Sequence, residues 1–209
     1  MHIAEGVLHP AILVVGAVLT TVGTAYGLKS LRTEHLLISG VLAAFFFVAS
    51  LVHVPIGVSS AHLLCCGLLG IVLGYGTFPT ILVALFLQAI LFQYGGLTIL
   101  GVNTFTMATS GVLSWYLFRF LRLYFQSPRN LPWIAFVCGS LSVVWAALLT
   151  SMALYFSEEG FFVVAMTLLG SHVPIMVAEG VITMFLIIYI QRVRPDLLPS
   201  NGEIRVCKS

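Results

Sequence analysis

Apolar residues run in seven stretches along the chain, at roughly 7–27, 35–52, 62–75, 78–93, 104–122, 131–156 and 173–191, with most polar residues confined to the gaps between them. A helix needs about 20 residues to cross an apolar layer about 30 Å thick. The pattern therefore predicts an all-α membrane protein with about seven transmembrane helices. The third and fourth stretches are short, and Gly74, Tyr75, Gly76, Thr77, Phe78 and Pro79 join them as a turn-forming string. Tilted, broken or partly re-entrant helices are expected there. Residues 161–169 are apolar but too short to cross, and Gly170-Ser171-His172-Val173-Pro174 interrupts them. Pro174 suits the first turn of a new helix with Ser171 or His172 near its cap, which makes 161–169 an interfacial helix or a bent extension.

Composition agrees with this pattern. Of 209 residues, 60% are hydrophobic and 8% charged, with mean hydropathy +1.10; soluble domains carry about a quarter charged residues. A charge at the centre of a spanning helix costs about 2.5–3.5 kcal/mol on insertion scales, so each one marks a helix end or a function. Lys29 and Arg32 follow the first stretch, Arg119, Arg122 and Arg129 flank the gap after the fifth, and Arg192, Arg194, Arg205 and Lys208 follow the last. With seven spans all of these share one face, which the positive-inside rule makes cytoplasmic. The N-terminus is then outside and the C-terminus cytoplasmic, in a multi-pass protein of the inner (plasma) membrane.

The whole chain reads as one membrane domain: an N-terminal segment 1–6, a helical bundle 7–191 and a tail 192–209. Val7 to Tyr26 is apolar, but it lacks a positive leader, follows Glu5 and shows no cleavage site, so it reads as a span and not a signal peptide. Cys65, Cys66, Cys138 and Cys207 form no CxxC pair; the first three read as small buried hydrophobes. No nucleic-acid motif is present.

The chemistry begins at Met1-His2. A histidine in second position offers three nitrogen donors: the Met1 α-amine, the His2 backbone nitrogen after loss of its proton, and the imidazole Nδ1, joined in five- and six-membered chelate rings. Planar nitrogen donors suit nickel(II) or copper(II) better than zinc, and a fourth donor would complete the square. Among the other histidines, topology removes His35, which starts the second span on the cytoplasmic face. His9 precedes Pro10 and reads as a capping or packing residue more than a ligand, and His172 sits at a helix start. His53 ends the second span. His62 follows Gly57, Val58, Ser59, Ser60 and Ala61, small residues that let backbone come close, and opens a short span, as membrane sites often do; these features rank it slightly above His53. Glu179 lies about two turns into the last span, where a carboxylate is a functional candidate by default. Glu5, near the outer surface, is expected to cap the first helix.

Four segments together resemble a known family. They are the start Met1-His2-Ile3-Ala4-Glu5-Gly6, the stretch Val54 to Leu63 with His62, the stretch Gln88 to Asn103 with Gly95-Gly96-Leu97-Thr98, and the segment from His172-Val173-Pro174 to Glu179-Gly180. This combination resembles the CbiM/NikM substrate-binding (S) components of energy-coupling factor (ECF) transporters for cobalt and nickel, over nearly the whole chain. The resemblance implies that the metal is held by the Met1 nitrogen, by the backbone and side chain of His2, and by His62. Two departures stand out: Gly57-Val58-Ser59-Ser60-Ala61 replaces the Gly-Gly-Thr-Ser-Gly-like run of many relatives, and Tyr94 replaces an acidic residue before the double glycine.

Ligating imidazoles need an acceptor that fixes their tautomer. Asn103 is the first candidate, with Ser59, Ser60 and Thr104 beside it; Glu179 either offsets the cation's charge, bonds to His2 or His62, or makes a structural hydrogen bond to a neighbouring helix or loop. The chain has two lysines and no GxxxxGK[ST] phosphate loop, so it cannot hydrolyse ATP by that means. The resemblance supplies the partners: a transmembrane coupling subunit, ATP-binding cassette ATPase subunits and in some systems a small accessory membrane subunit. It implies no cofactor beyond the transported Co2+ or Ni2+, and leaves the choice between them open. The alternatives are a stand-alone ion-coupled transporter or channel, disfavoured because only Glu179 is deep, an intramembrane enzyme, for which HExxH is lacking, and a purely structural subunit, which leaves His2 and His62 unexplained.

Overall fold

The computed structural model describes residues 3, 5–31, 33–51, 53–56, 59–157 and 161–199, with backbone alone at 33–34, 53–56, 59–62, 161–169 and 171. Seven helices carry the described chain: α1 (Pro10–Ser30), α2 (Thr33–Leu51), α3 (Cys66–Leu73), α4 (Thr77–Phe92), α5 (Leu100–Tyr124), α6 (Leu131–Tyr155) and α7 (Phe161–Val193). Between α2 and α3 lies a hairpin of β1 (His53–Ile56) and β2 (Ser59–His62). Four helical runs are long and apolar enough to cross a membrane: Pro10–Ser30, Cys66–Phe92, Pro128–Tyr155 and His172–Val193. The helical expectation is met except at the hairpin. Pro55 lacks the amide proton a helix requires there, and the two strands pair their backbone groups antiparallel, His53 opposite His62 and Ile56 opposite Ser59. The third apolar stretch consequently becomes helical only at Cys66.

Consecutive legs alternate in direction. Gly70 of α3 lies on Gly111 of α5 and Gly74 on Trp115, in step, so α3 runs parallel to α5. After the 3-10 turn Gly74–Gly76, α4 returns toward the hairpin. Carbonyls in that turn are satisfied locally, Thr77 donating to Gly74 at 2.7 Å and Thr80 to Gly76 at 2.8 Å. This is what an apolar surrounding demands of irregular backbone.

Small residues set how closely the helices approach. On α1 a face of Gly16, Thr20, Gly23 and Gly27 meets Val102, Gly101, Phe78 and the Tyr75 carbonyl in turn. A Cβ at Gly70 would collide with the Gly111 backbone, and one at Gly139 would press on Thr183 and the Glu179 carbonyl. Lipid tails are as apolar as leucine, so helices in a bilayer associate through such close packing more than through hydrophobicity. Polar links add to it: Ser114 donates to the Cys138 carbonyl at 3.1 Å and Ser140 to the Met176 carbonyl at 2.9 Å. Cys65, Cys66 and Cys138 are buried and free, as expected.

Helix α7 departs from the expected restart near residue 172. It is continuous over 33 residues with Pro174 inside, so 161–169 extends the last helix. Proline there removes one ladder bond, to the carbonyl of Gly170, and packing against α6 along its length keeps the helix going.

The glycine contacts make a contrasting pair of substitutions. Gly70→Ala should destabilise the protein by about 1–3 kcal/mol, the usual cost of overpacking a tight contact. Gly40→Ala, on α2 with nothing within 4 Å of the new methyl, should stabilise it by about 0.4–1 kcal/mol. Thermal unfolding in detergent reads both, and equal melting temperatures for the two variants would contradict the packing described.

Candidate metal centre

Met1 and His2 lie outside the described residues, but the segment that follows them is firmly held. Ile3 is 6% exposed and packs with Leu8, Ile99 and Val102 in a small cluster separate from the main core. Burying an aliphatic side chain of this size contributes about 1.5–3 kcal/mol. Asn103, on the first turn of α5, grips the Ile3 backbone at two points: its Oδ1 accepts from the Ile3 amide at 3.2 Å and its Nδ2 donates to the Ile3 carbonyl at 3.3 Å. The amide thus mimics the edge of a strand. Asn103 is buried, and an amide side chain in that setting is held in one orientation by its two bonds. The position next to His2 is therefore tied to α5.

Further along, Glu5 does not cap α1 as expected. Its Oε1 accepts from the Thr98 amide and hydroxyl, both at 3.0 Å. These bonds, the backbone one first, hold its carboxyl below the usual carboxylate range. Gly96, at φ +103°, allows the approach, because a Cβ there would overlap the Glu5 side chain. Gly6 turns the segment at φ +83°. The cap of α1 is His9, whose Nδ1 accepts from the Ala11 amide at 3.3 Å while Pro10 occupies the first turn. His9 donates its own amide to Ser157 beyond α6 at 3.1 Å.

The backbone of Ser59, Ser60 and His62 forms β2; their side chains lie outside the described residues. His62 ends β2 at the open base of the hairpin, directly opposite His53 in register. Just past it, Oε1 of Glu179 accepts from the amides of Leu64 and Cys65, the latter at 2.7 Å. Cys65 is the N-cap of α3, sits at φ +50° and makes no side-chain cap bond. Glu179 of α7 supplies the missing acceptor from another helix, where an anion also meets the positive end of the helix dipole. Of the roles expected for Glu179, this is the structural bond to a neighbouring loop. Its second oxygen is buried with no hydrogen-bond partner among the described residues, as is the Thr104 hydroxyl.

Because α3 and α5 run in the same direction, the start of α3, just past Leu64 and Cys65, and the first turn of α5, with Asn103, face the same end of the bundle. The two grips, Asn103 on Ile3 and Glu179 on Leu64 and Cys65, thus lie at the same end of the bundle. Two contributors escaped the sequence reading. Thr98 carried no signal beyond its place after the double glycine. Gln88 is fully buried and donates to Ser50; an amide in the interior of a mainly apolar stretch was the available clue. A cavity of about 460 Å3 lies at the opposite end, between Tyr26, Tyr75, Trp115, Arg119 and Asp196. No three His, Cys, Asp or Glu side chains converge among the described residues, a set that excludes Met1, His2 and the side chain of His62.

Comparison with known proteins finds relatives over nearly the whole chain. The family model for CbiM, described as a cobalt uptake substrate-specific transmembrane region, matches residues 2–197. A Haemophilus influenzae protein named for metal transport is 37% identical over 199 residues, covering 95% of this chain and 97% of that one. An Archaeoglobus fulgidus protein named for nickel transport as the fused NikMN is 31% identical over 209 residues, covering 97% of this chain and 69% of that one. A crystal structure of a truncated transition-metal transporter superposes with TM-score 0.78 at 28% identity, over 92% of this chain and 99% of that one.

The Glu5 latch has a defined pH sense. Because its folded pKa is depressed, its contribution is complete above the ordinary value of 4.5 and fades as pH falls through the lowered folded value. Hydrogen exchange at the Thr98 amide should therefore be slow at neutral pH in the wild type and fast in Glu5→Ala. Equal protection in the two proteins would show that the latch is not formed.

Proposed function

Because this chain belongs to the CbiM family of cobalt uptake substrate-specific transmembrane proteins, we propose that it is the substrate-binding membrane subunit of an ATP-driven energy-coupling factor importer, taking divalent cobalt or nickel at the outer face. The family makes it a membrane component of transition-metal transport. The finer reading concerns which residues hold the ion and what drives its passage.

One observation carries it: each of the two segments expected to bear ligands is fastened by a buried polar side chain immediately beside the ligand position. Asn103 binds the backbone of Ile3, next to His2, and Glu179 binds the backbone of Leu64 and Cys65, just past His62. In this reading Met1, as a free amino terminus, provides its α-amine, His2 its backbone nitrogen and imidazole, and His62 the fourth nitrogen. The two grips support this reading, because an ion held by segments fastened in advance is spared the entropy cost of ordering both. Asn103 and Glu179 act through backbone, holding the ligands' places. The second oxygen of Glu179, without a hydrogen-bond partner among the described residues, supplies negative charge to a cargo carrying two positive ones, and Ser59 and Ser60 remain the candidates to bond the His62 ring.

The seven alternating legs support a topology with the hairpin end outside. Lys29, Arg122, Arg129, Arg192 and Arg194 lie at or beyond helix ends on the opposite side, where the positive-inside rule places the cytoplasm. ATP-binding cassette subunits and a transmembrane coupling subunit then act from that side, with a small accessory subunit where the system has one.

Adding one residue before Met1 should abolish nickel and cobalt binding while leaving the melting temperature of the metal-free protein unchanged. Calorimetric titration reads the first and thermal unfolding the second; unchanged affinity in the extended protein would rule out the amine as a ligand. Because every proposed nitrogen must be deprotonated to bind, affinity should fall steadily from about pH 8 to pH 5 as the imidazoles protonate. An affinity that stays flat over that range would contradict histidine ligation.

A further inference from the structure

We propose that Gln88 is a positioning residue for the metal centre: from α4 it holds the end of α2 and so fixes where the hairpin presents position 62. The inference rests on the reading of His62 as a ligand.

The hairpin leaves the bundle by one leg and returns by the other, and its base is where His53 and His62 pair. The returning leg is held by Glu179. On the outgoing leg Ser50 stands three residues before His53. Its hydroxyl donates to the Phe47 carbonyl at 2.8 Å, within its own helix, and accepts from Nε2 of Gln88. Gln88 and Ser50 are 0% and 1% exposed. A second link lies nearer the other end of α2, where Ser39 and Thr80 meet at 2.5 Å. Thr80 donates to the Gly76 carbonyl, so the proton in that pair belongs to Ser39. α2 packs Leu42, Phe46 and Ala49 into the core and its Phe47 ring against Phe92 of α4, and the two hydroxyl links add direction to that apolar contact. The Gln88 link is the one beside the hairpin.

On its own helix Gln88 stands among buried apolar residues, Leu85 and Ala89. Burying an amide costs about 2–7 kcal/mol before its bonds compensate. What its bond to Ser50 adds is direction: a hydrogen bond has a preferred distance and angle, so it specifies rotation and height of the end of α2 more narrowly than apolar contact does alone. Residues that orient ligands from outside the coordination sphere typically change metal affinity by about 10–100-fold when replaced.

The test compares wild type, Gln88→Leu, Ser50→Ala and His62→Ala as purified full-length proteins. Nickel affinity is read by calorimetry, and copper(II) serves as a spectroscopic probe by electron paramagnetic resonance. We expect Gln88→Leu to bind nickel about 10–100-fold more weakly and its copper spectrum to move toward that of His62→Ala, as the terminal chelate keeps its three nitrogens and loses the fourth. A merely structural role would lower the folded fraction without changing the spectrum of the bound ion. Ser50→Ala removes only the acceptor and is judged by the same criterion if the leucine variant is poorly folded. Wild-type affinity and spectrum in the position 88 and 50 variants, beside an altered His62→Ala, overturn the Gln88 role alone. An unaltered spectrum in His62→Ala overturns the proposed centre, and the Gln88 role with it.

Discussion

A carboxylate buried inside an apolar bundle has to be matched by donors, and in this protein the donors are the backbone amides that open α3. Glu179 is fully buried, two turns or more from either end of α7, and its Oε1 takes the amides of Leu64 and Cys65. Each partner meets a need of the other. The carboxylate gains charge-assisted bonds of the strong kind, and the first turn of α3, which has no side-chain cap, gains an acceptor for amides that would otherwise be orphaned. Since α3 follows the hairpin directly, this one contact decides where β2 ends, how deep α3 enters and at what level His62 stands.

The arrangement at the N-terminal segment obeys the same physics with a neutral group. Asn103 offers one acceptor and one donor to the single exposed peptide edge at Ile3, and the apolar cluster of Ile3, Leu8, Ile99 and Val102 sets the segment's depth. Glu5 on Thr98 adds a third hold, admitted by the absence of a side chain at Gly96. The two grips thus come from different helices, Asn103 of α5 for Ile3 and Glu179 of α7 for Leu64 and Cys65.

Close helix approach makes these polar grips accurate. Gly16 on Val102, Gly70 on Gly111 and Gly139 on α7 bring backbones together where any Cβ would intervene, and an interior packed that tightly does not slide to accommodate a misplaced side chain. The open position at Gly40 shows that the rule belongs to contacts and not to glycine as such.

Much of this was legible from residues alone. Length and hydropathy determine the helical membrane class, because crossing an apolar layer leaves few alternatives to a run of about 20 apolar residues. Scarcity of charge singled out Glu179, and local backbone chemistry placed the His9 cap and the turn at Gly74–Gly76. The continuity of α7 through Pro174, the hairpin at 53–62, the Glu5–Thr98 latch and the Ser50–Gln88 link were not legible. Each depends on residues far apart in sequence: an apolar stretch states that a helix is buried but not which neighbour it meets, and a buried polar group states that it needs a partner but not which one. The sequence by itself determined what kind of molecule this is and which residues could bear its chemistry. Only the tertiary structure decided that Asn103 and Glu179 hold backbone, because a hydrogen bond is chosen by distance and direction, and those exist only once the helices have packed.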